Sequence, residues 1–364
     1  MAEKINMRSN YPVLKEQGID LQAYLSQFYQ TFDNWFSLNP FDGHLADKQA
    51  ASEWISGDGE KIAVERIALA TGGHHACLLV IIAAKLQGKA IAVEEFSYPG
   101  FMEIAKMMDV TLISCKGDQH GMQPGALAEV ITKNQVKAVY LMPTLNNPTG
   151  MVMPLERRLA LIEVCKASDV MIIDDDAYGF LEDNPPPNFA QLYPENGWYI
   201  YSLSKPLAPD IKVAFMAFPA AYQAAVNRAI QFSVSNPSTF FTAMVTGLIQ
   251  NGKLKMLIEN KRIEGRERQR LVKNLLGDFQ LSAHPNGWHL WLALPDKVMA
   301  QEISDLLLEK GIEVIPGNLF NSPGTNNKEF IRIALGGEKD LDKIIKGIKM
   351  LRETIVTVAN ELKK

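Results

Sequence analysis

The sequence is poor in cysteine, and its three cysteines, Cys77, Cys115 and Cys165, lie far apart. They form neither a disulfide framework nor a cluster of metal ligands, so we expect reduced, buried thiols and no metal site. Residues 1–20 lack the apolar core of a signal peptide. The longest apolar run, Ala76–Ala84, is too short to cross a bilayer. These absences predict a cytoplasmic protein without a membrane segment.

The chain also lacks a block of positive charge. Its formal net charge is -4, and the Lys-rich stretch Lys253–Arg270 is mixed with Glu. This mixture predicts a solvated helix face, and no nucleic-acid partner is expected. The 364 residues, 47% of them hydrophobic, suffice for a large core and favour two domains.

The middle of the chain alternates short apolar runs with helical patterns such as Ala126–Lys133 and Leu155–Ala167. The predicted strands are Ile67–Ala70, Ala90–Val93, Thr111–Cys115, Ala138–Met142, Val170–Ile173, Trp198–Ser202 and Val213–Phe218. Apolar strands separated by helices predict an α/β fold with a mostly parallel sheet, covered on both faces. Ligands of such sheets bind beyond the carboxyl ends of the strands.

The pattern changes after about Gly247. A charged helix, Leu254–Leu276, and a strand, His289–Leu294, come first. The remaining predicted elements are helix Met299–Lys310, strands Ile312–Ile315 and Phe330–Ala334, and a helix from Asp340 to near the end. This order predicts a smaller α+β unit.

Lys205 follows a predicted strand and is flanked by Ser202 and Ser204. A lysine whose pKa is lowered by burial or by cationic neighbours can become a Schiff-base nucleophile. Ser202, Ser204 and Lys212 together could hold a phosphate. A polar turn with two surface lysines remains the alternative.

Three acidic residues, Asp174 to Asp176, also follow an apolar strand. Such a cluster is costly unless a cation compensates, and a protonated pyridine nitrogen would be such a cation. The alternative is a helix N-cap whose first turn is stabilised by carboxylates.

Two turns that follow predicted strands are further candidates for the functional site. In Pro143–Gly150 the amide of Asn147 could donate to a phenolate oxygen, or the segment could be an ordinary loop. Thr71–Ala76 is a glycine turn that opens a helix, where free amides suit a phosphate. The adjacent His74 and His75 have no partner ligands at metal-site spacing.

With these elements in order, the chain resembles the fold type I pyridoxal-phosphate (PLP) aminotransferases of class I/II. The match runs from about Asn39 to Gly337, and the Ser-x-Ser-Lys-x-Leu-Ala-Pro spacing at 202–209 favours the branch of 2-aminoadipate aminotransferases and regulator-type domains. The resemblance implies an N-terminal arm (1–40), a large PLP-binding domain with a seven-stranded sheet (41–247) and a small C-terminal domain (248–364). It also implies a homodimer.

The resemblance assigns a role to each motif. Lys205 would carry PLP as an internal aldimine and move the substrate Cα proton. Asp175 would pair with the pyridinium nitrogen. Tyr178 and Asn147 match the residues that bind the 3-oxygen of the ring, and Asn147 is also near the substrate. Tyr98 matches the aromatic residue that stacks on the cofactor, or is a core tyrosine.

The phosphate and the substrate carboxylate have their own candidates. Gly73 and His74 would offer backbone amides to the phosphate, with Ser202 and Lys212 completing the site. Arg332 matches the arginine that binds the α-carboxylate through two parallel bonds. An ion pair of Arg332 with Glu329 or Glu338 is the alternative.

Some positions depart from the family pattern. Lys212 stands where the family has an arginine, and Asp210 and Ala214 replace glycines. A tyrosine contributed by the neighbouring subunit is not evident, and Leu38 or Phe41 stands near its place. The N-terminal stretch lacks a clear Gly-x-Pro substrate loop.

We therefore expect an aminotransferase that moves an amino group between an L-amino acid and a 2-oxo acid. The alternatives are a PLP-dependent C–S lyase, a decarboxylase or a cyclopropane-forming synthase on the same fold, since fold does not fix reaction. A regulatory module is less favoured, because only about forty residues precede the match and none forms a basic recognition helix. Aromatic residues could form a side-chain pocket or be core: Trp288, Trp291, Phe232, Phe240 and Phe241. No second arginine is assignable to a distal carboxylate.

Overall fold

The structure is a computed structural model that describes residues 4–35, 39–325 and 328–363. The strands in the first two thirds of the chain are β1 (Ile5–Asn6), β2 (Ile67–Ala70), β3 (Ala90–Glu94), β4 (Thr111–Cys115), β5 (Gly117–Asp118), β6 (Gly121–Met122), β7 (Ala138–Leu141), β8 (Met171–Asp176), β9 (Gly197–Ser202) and β10 (Ala214–Ala217). The helices of the same part are α1 (Gln17–Thr31), α2 (Leu45–Ser56), α3 (Gly73–Ala83), α4 (Pro99–Met107), α5 (Pro124–Asn134), α6 (Leu155–Lys166), α7 (Phe189–Leu192), α8 (Gln223–Ser233) and α9 (Thr239–Gln250).

Seven of these strands form one sheet in the order β2-β10-β9-β8-β7-β3-β4. The strands from β9 to β4 run parallel, and β10 runs antiparallel to both of its neighbours. The predicted α/β class with a mostly parallel seven-stranded sheet is therefore confirmed. Buried apolar residues lie on both faces of the sheet, since helices cover each side.

The last third of the chain has its own core. Its elements are α10 (Lys253–Leu276), β11 (Leu281–Ser282), β12 (His289–Ala293), α11 (Ala300–Glu309), β13 (Ile312–Glu313), β14 (Ile315–Pro316), β15 (Phe330–Ala334) and α12 (Leu341–Glu361). Four strands form an antiparallel sheet in the order β11-β12-β15-β14. No helix in the described residues is long and apolar enough to span a membrane.

The predicted strand Ile312–Ile315 is wrong as a single element. It divides at Val314, so that β13 pairs with β1 while β14 pairs with β15. Ile5 and Met7 of the N-terminal segment belong to the C-terminal core as a result. The proposed boundaries at residues 41 and 248 stay predictions.

The predicted solvated face of Lys253–Arg270 is wrong at two residues of α10. Arg268 is buried and donates to the carbonyls of Leu335 and Glu338. Lys261 is fully buried, and its Nζ donates to the carbonyl of Lys205 at 3.2 Å. Burial lowers the pKa of Lys261 from 10.5 to about 7.

A buried ammonium with one neutral partner is costly, so we expect Lys261→Met to raise the free energy of unfolding at pH 7 by about 1–4 kcal/mol. The folded pKa of Lys261 is depressed, so between about pH 7 and 10 the unfolded chain holds a proton that the folded chain lacks. The free energy of unfolding of the native protein should rise with pH across this window, and that of the Lys261→Met variant should rise less. Urea unfolding at several pH values measures this, with exposed Lys273→Met as control. If Lys261→Met were less stable than Lys273→Met at pH 7, the prediction would be refuted.

Candidate active site

A cavity of about 360 Å³ lies beyond the carboxyl ends of the parallel strands. Its lining residues are Tyr11, Thr71, Gly72, Gly73, His74, Tyr98, Met142, Asn147, Asp175, Ala177, Tyr178, Ser202, Ser204, Lys205 and Lys212. All nine residues that the sequence assigned to the cofactor are among them. Segments more than 130 residues apart in the chain thus meet around one space.

The three acidic residues lie on strand β8, so their side chains alternate between the two faces of the sheet. Asp174 accepts from Phe189 N, and Asp176 accepts from Tyr199 OH and Gly179 N. Asp175 alone lines the cavity. The helix N-cap interpretation is therefore wrong, because all three acids belong to β8 and Tyr178 is the N-cap of the short 3-10 turn Gly179–Leu181, although Asp176 Oδ1 accepts from the Gly179 amide.

Asp175 is buried at the inner end of the cavity. Tyr140 OH donates to its Oδ2 at 2.6 Å, and the Tyr140 ring stacks on Phe101 at 3.5 Å between centroids. Burial raises the pKa of Asp175 to about 6, although the Tyr140 bond and the charge of Lys205 act in the opposite direction. A buried carboxylate of this kind favours a cationic partner in the cavity.

Lys205 follows strand β9, and its amine lies inside the cavity. Burial, together with the nearby positive charges of Arg332 and Lys212, lowers the pKa of Lys205 to about 7. The loop is held by neighbours, because Lys261 Nζ bonds the Lys205 carbonyl and Gln17 Nε2 bonds the Leu207 carbonyl. An amine with this pKa can both accept and release a proton near pH 7.

The outer end of the cavity suits an anion. Helix α3 begins at Gly73, and its first amides have no partner within the helix. Gly72 has φ +84°, a conformation that favours glycine, and a Cβ on Gly73 would lie 3.3 Å from Ser202 Cβ. Lys212 adds a positive charge. The N-terminus of α3, Ser202 and Lys212 thus form an electropositive end of the cavity that could hold a phosphate.

Asn147 and Tyr178 face the same space from neighbouring turns. The Asn147 turn contains Leu145 at φ +58°, and the Asn147 Oδ1 atom is buried without a hydrogen-bond partner. Tyr178 OH donates to the Asn10 carbonyl at 3.2 Å. Tyr98 OH bonds His74 Nε2 at 2.9 Å. Both side chains line the cavity, and the Asn147 amide is the one with an atom that has no partner among the described residues.

Arg332 lies outside the cavity lining, but its charge reaches the site. The charge of Arg332 lowers the pKa of Lys205. Burial lowers the pKa of Arg332 itself to about 10, although Tyr178 and Tyr98 act in the opposite direction. Its Nη2 donates to the Arg8 carbonyl at 2.6 Å, while Nε and Nη1 are buried and have no hydrogen-bond partner among residues 4–35, 39–325 and 328–363. The predicted alternative of an ion pair with Glu329 or Glu338 is not observed among the described residues. Two unpaired buried donors fit a carboxylate ligand.

The donor set fits pyridoxal phosphate. The cavity offers a buried acid for a pyridinium nitrogen, an amine for an aldehyde, a polar turn for a ring oxygen and an electropositive helix terminus for a phosphate. No cluster of metal-ligating side chains exists in the part of the chain that the structure describes.

The aromatic residues that could have formed a side-chain pocket do not line the cavity. Trp288 and Trp291 are buried, Phe240 packs against Phe28 and Trp35, and Phe232 is exposed. The packing interpretation is therefore the better one for this set. Phe41 is exposed, and Leu38 lies outside the described residues.

Sequence reasoning gave no role to Tyr11, which lines the cavity, or to Tyr140, which bonds Asp175. Tyr140 belongs to an apolar strand run, where a tyrosine is ordinarily a core residue. Tyr11 comes from the N-terminal stretch, in which no Gly-x-Pro loop was evident. The stretch Ser9-Asn10-Tyr11-Pro12 contains turn-forming residues, but no pattern that points to the cofactor site.

The family model for aminotransferases of class I and II matches residues 2–348, beyond both ends of the predicted match. The chain therefore belongs to the class I and II aminotransferase family. It is a PLP-dependent transaminase that acts on amino acids and oxo acids, as the sequence predicted.

Relatives of two kinds are similar to this chain. The uncharacterized HTH-type transcriptional regulator YdeF of Bacillus subtilis is 26% identical over 90% of this chain and 71% of its own length. The 2-aminoadipate transaminase of Thermus thermophilus is 24% identical over 86% of this chain and 80% of its own. The crystal structure of the α-aminoadipate aminotransferase LysN, complexed with N-(5'-phosphopyridoxyl)-L-leucine, has a TM-score of 0.87 at 21% identity, covering 98% and 93% of the two chains.

Proposed function

We propose that this transaminase uses Lys205 as its catalytic base and cofactor lysine, Asp175 as the partner of the pyridine nitrogen, and Arg332 as the anchor of the substrate carboxylate. The observation that carries the proposal is that the Lys205 amine and the buried Asp175 carboxyl line one cavity, while Arg332, whose charge acts on Lys205, has two buried donors without a partner among the described residues. Asn147 and Tyr178 hold the ring oxygen. Tyr98 packs on the ring.

Bound PLP supplies an aldehyde for the amino group and a ring that accepts the electrons of the broken Cα–H bond. The phosphate is held by the Gly73 and His74 amides, Ser202 and Lys212. Arg332 fixes the α-carboxylate in two places and so orients the Cα–H bond. Lys205 Nζ takes the Cα proton and releases it again, for which a pKa near 7 is suited.

The side chain of the substrate meets few charges in this cavity. Once Lys205, Lys212, Asp175 and His74 are assigned to the cofactor, the remaining lining is aromatic, apolar, amide or hydroxyl and carries no charged side chain. We infer a preference for L-amino acids with uncharged side chains over dicarboxylic ones. A panel that contains leucine, phenylalanine, glutamate and 2-aminoadipate tests this, and faster turnover of the two diacids would contradict it.

The rim of the cavity favours a homodimer. Thr71, His74 and Lys212 are exposed although they face the phosphate end. His75 Nε2 bonds Ser233 Oγ at 2.9 Å, next to the exposed apolar residue Phe232. A second copy of the chain would cover both features. The three buried free cysteines fit a cytoplasmic location.

The absorbance spectrum of the purified protein with PLP tests the proposed chemistry. Adding a substrate amino acid without an oxo acid should convert the pyridoxal spectrum to the pyridoxamine spectrum, with one 2-oxo acid formed per site. A 2-oxo acid then restores the first spectrum. Ammonia release without pyridoxamine formation would instead favour the lyase alternative.

Asp175→Asn should weaken the reaction strongly, because the amide cannot hold the pyridine nitrogen in its protonated form. Loss of one partner of a buried charge pair costs about 2–5 kcal/mol, or about 30- to 5,000-fold in kcat. The matched control is Asp174→Asn on the opposite face of β8. Burial raises the pKa of Asp174 to about 8, so its carboxyl is already largely protonated near pH 7. Equal losses in the two variants would contradict the role of Asp175.

A further inference from the structure

The N-terminal segment Arg8–Pro12 is built into the wall of the active site. Its Arg8 carbonyl accepts from Arg332, and its Asn10 carbonyl accepts from Tyr178. The Asn10 amide also bonds His289 Nδ1 at 2.9 Å. Gly336 packs so closely that a Cβ there would overlap the Tyr11 carbonyl. These contacts fix the backbone on both sides of Tyr11.

The Tyr11 side chain contacts the reactive amine directly. Lys205 Nζ lies 3.3 Å from the centroid of the Tyr11 ring and 5.6 Å from that of Tyr178. No hydrogen bond joins Lys205 Nζ to another residue in the described ranges. The ring face is therefore the nearest attractive partner of the amine, and a ring face attracts an ammonium more than a neutral amine.

The other groups around the amine act on its charge in both directions. The charged and titratable groups whose fields couple to it are Arg332 on β15, Lys212 before β10, Asp175 on β8, His74 on α3 and His289 on β12. Arg332 and Lys212 disfavour a proton on the amine, while Asp175 favours one. The two histidines have lowered pKa values and are neutral near pH 7. Besides Asp175, the Tyr11 ring is thus the nearest feature that stabilises the protonated amine, and the Tyr178 ring lies further away.

We propose that the aromatic face of Tyr11 holds the Lys205 amine, with its proton, whenever that amine is not bonded to the cofactor. The inference rests on the proposed role of Lys205. During a turnover the amine is free while it carries the proton taken from the substrate Cα. Tyr11 keeps the protonated amine inside the cavity and away from Arg332 and Lys212.

The test measures the protonation of Lys205 without relying on turnover. The full chain, freed of PLP, is pulse-labelled with acetic anhydride between pH 5 and 10, and mass spectrometry of the Lys205 peptide gives the titration midpoint. Tyr11→Leu keeps an apolar side chain but removes the ring, and should lower the midpoint by about 0.4–1.5 pH units. Tyr11→Phe keeps the ring face, so its midpoint should remain within about 0.2 units of the native value.

Two outcomes would overturn the proposal: an unchanged or raised midpoint in Tyr11→Leu, or the same lowered midpoint in Tyr11→Phe. Tyr11→Met serves as a second ring-free variant if Tyr11→Leu does not fold, which circular dichroism shows. Borohydride reduction of the PLP-loaded native protein distinguishes a failure of the Tyr11 inference from a failure of the proposed role of Lys205. Pyridoxyl on Lys205 with no Tyr11 effect defeats only this inference, whereas pyridoxyl elsewhere defeats the proposed function.

Discussion

Replacing Lys205 with alanine is expected to lower kcat by about 10³-fold or more and to abolish covalent attachment of PLP. Positioned acid–base catalysis alone is worth 10²–10⁴-fold. The variant should fold, because the lost amine is buried with a pKa lowered to about 7 and makes no hydrogen bond in the described part of the chain. Single-turnover kinetics and the visible absorbance of bound PLP measure both effects.

The control for this experiment is Lys273→Ala, an exposed lysine of helix α10. It removes the same side chain where no cofactor contact exists and should leave kcat and absorbance unchanged. Retention of more than about a tenth of native turnover in Lys205→Ala would assign the acid–base role to another group.

Arg332→Lys should lower kcat/KM for amino acids by about 30- to 5,000-fold. Lysine keeps the charge but loses the planar pair of donors, and losing one partner of a buried, hydrogen-bonded charge pair costs about 2–5 kcal/mol. Nε and Nη1 of Arg332 are buried and have no partner in the described part of the chain, so these two donors add no hydrogen bond to the stability of the free protein. The loss in catalysis should therefore exceed the loss in the free energy of unfolding, which comes from the Nη2 bond to the Arg8 carbonyl and is worth about 1.5–3 kcal/mol.

Two comparisons make this prediction specific. Arg352→Lys changes an exposed arginine that pairs with Asp278, and it should leave kcat/KM unchanged. A primary amine that lacks the α-carboxylate should react equally slowly with native enzyme and Arg332→Lys. A similar fall in kcat/KM for that amine would place the effect of Arg332 elsewhere than on the carboxylate.

Most of the central sheet was predictable because each strand is a short apolar run that ends at turn-forming residues. The predicted strands differ from the observed ones mainly at their ends, where Asp174 to Asp176 extend β8. Charged residues at a strand end do not look like strand in sequence. Ile312–Ile315 failed for another reason, since its two halves are paired by different neighbours that only the tertiary fold brings near.

Helix α10 shows a second limit of prediction from the sequence. Its polar pattern predicted solvent on a face where Lys261 is buried, with its Nζ on the Lys205 carbonyl and its own carbonyl bonded by Trp288 Nε1 at 3.0 Å. The residues that cover Lys261 come from two distant parts of the chain, so local periodicity could not reveal them.

The candidate site was predictable where residues follow strands in recognisable motifs, such as Asn147, Asp175 and Lys205. Tyr11 and Tyr140 were missed because each acts through a contact across a long sequence separation. Tyr140 reaches Asp175 from the neighbouring strand, and Tyr11 reaches Lys205 from the N-terminal segment. Neither contact leaves a local sequence pattern.

The most direct test of the central claim is the location of the cofactor on the chain. The PLP-loaded protein is reduced with borohydride and digested, and the peptides are analysed by mass spectrometry. We expect one pyridoxyl group per chain, on Lys205. A pyridoxyl group on Lys212, Lys261 or any other lysine, with Lys205 unmodified, would contradict the account.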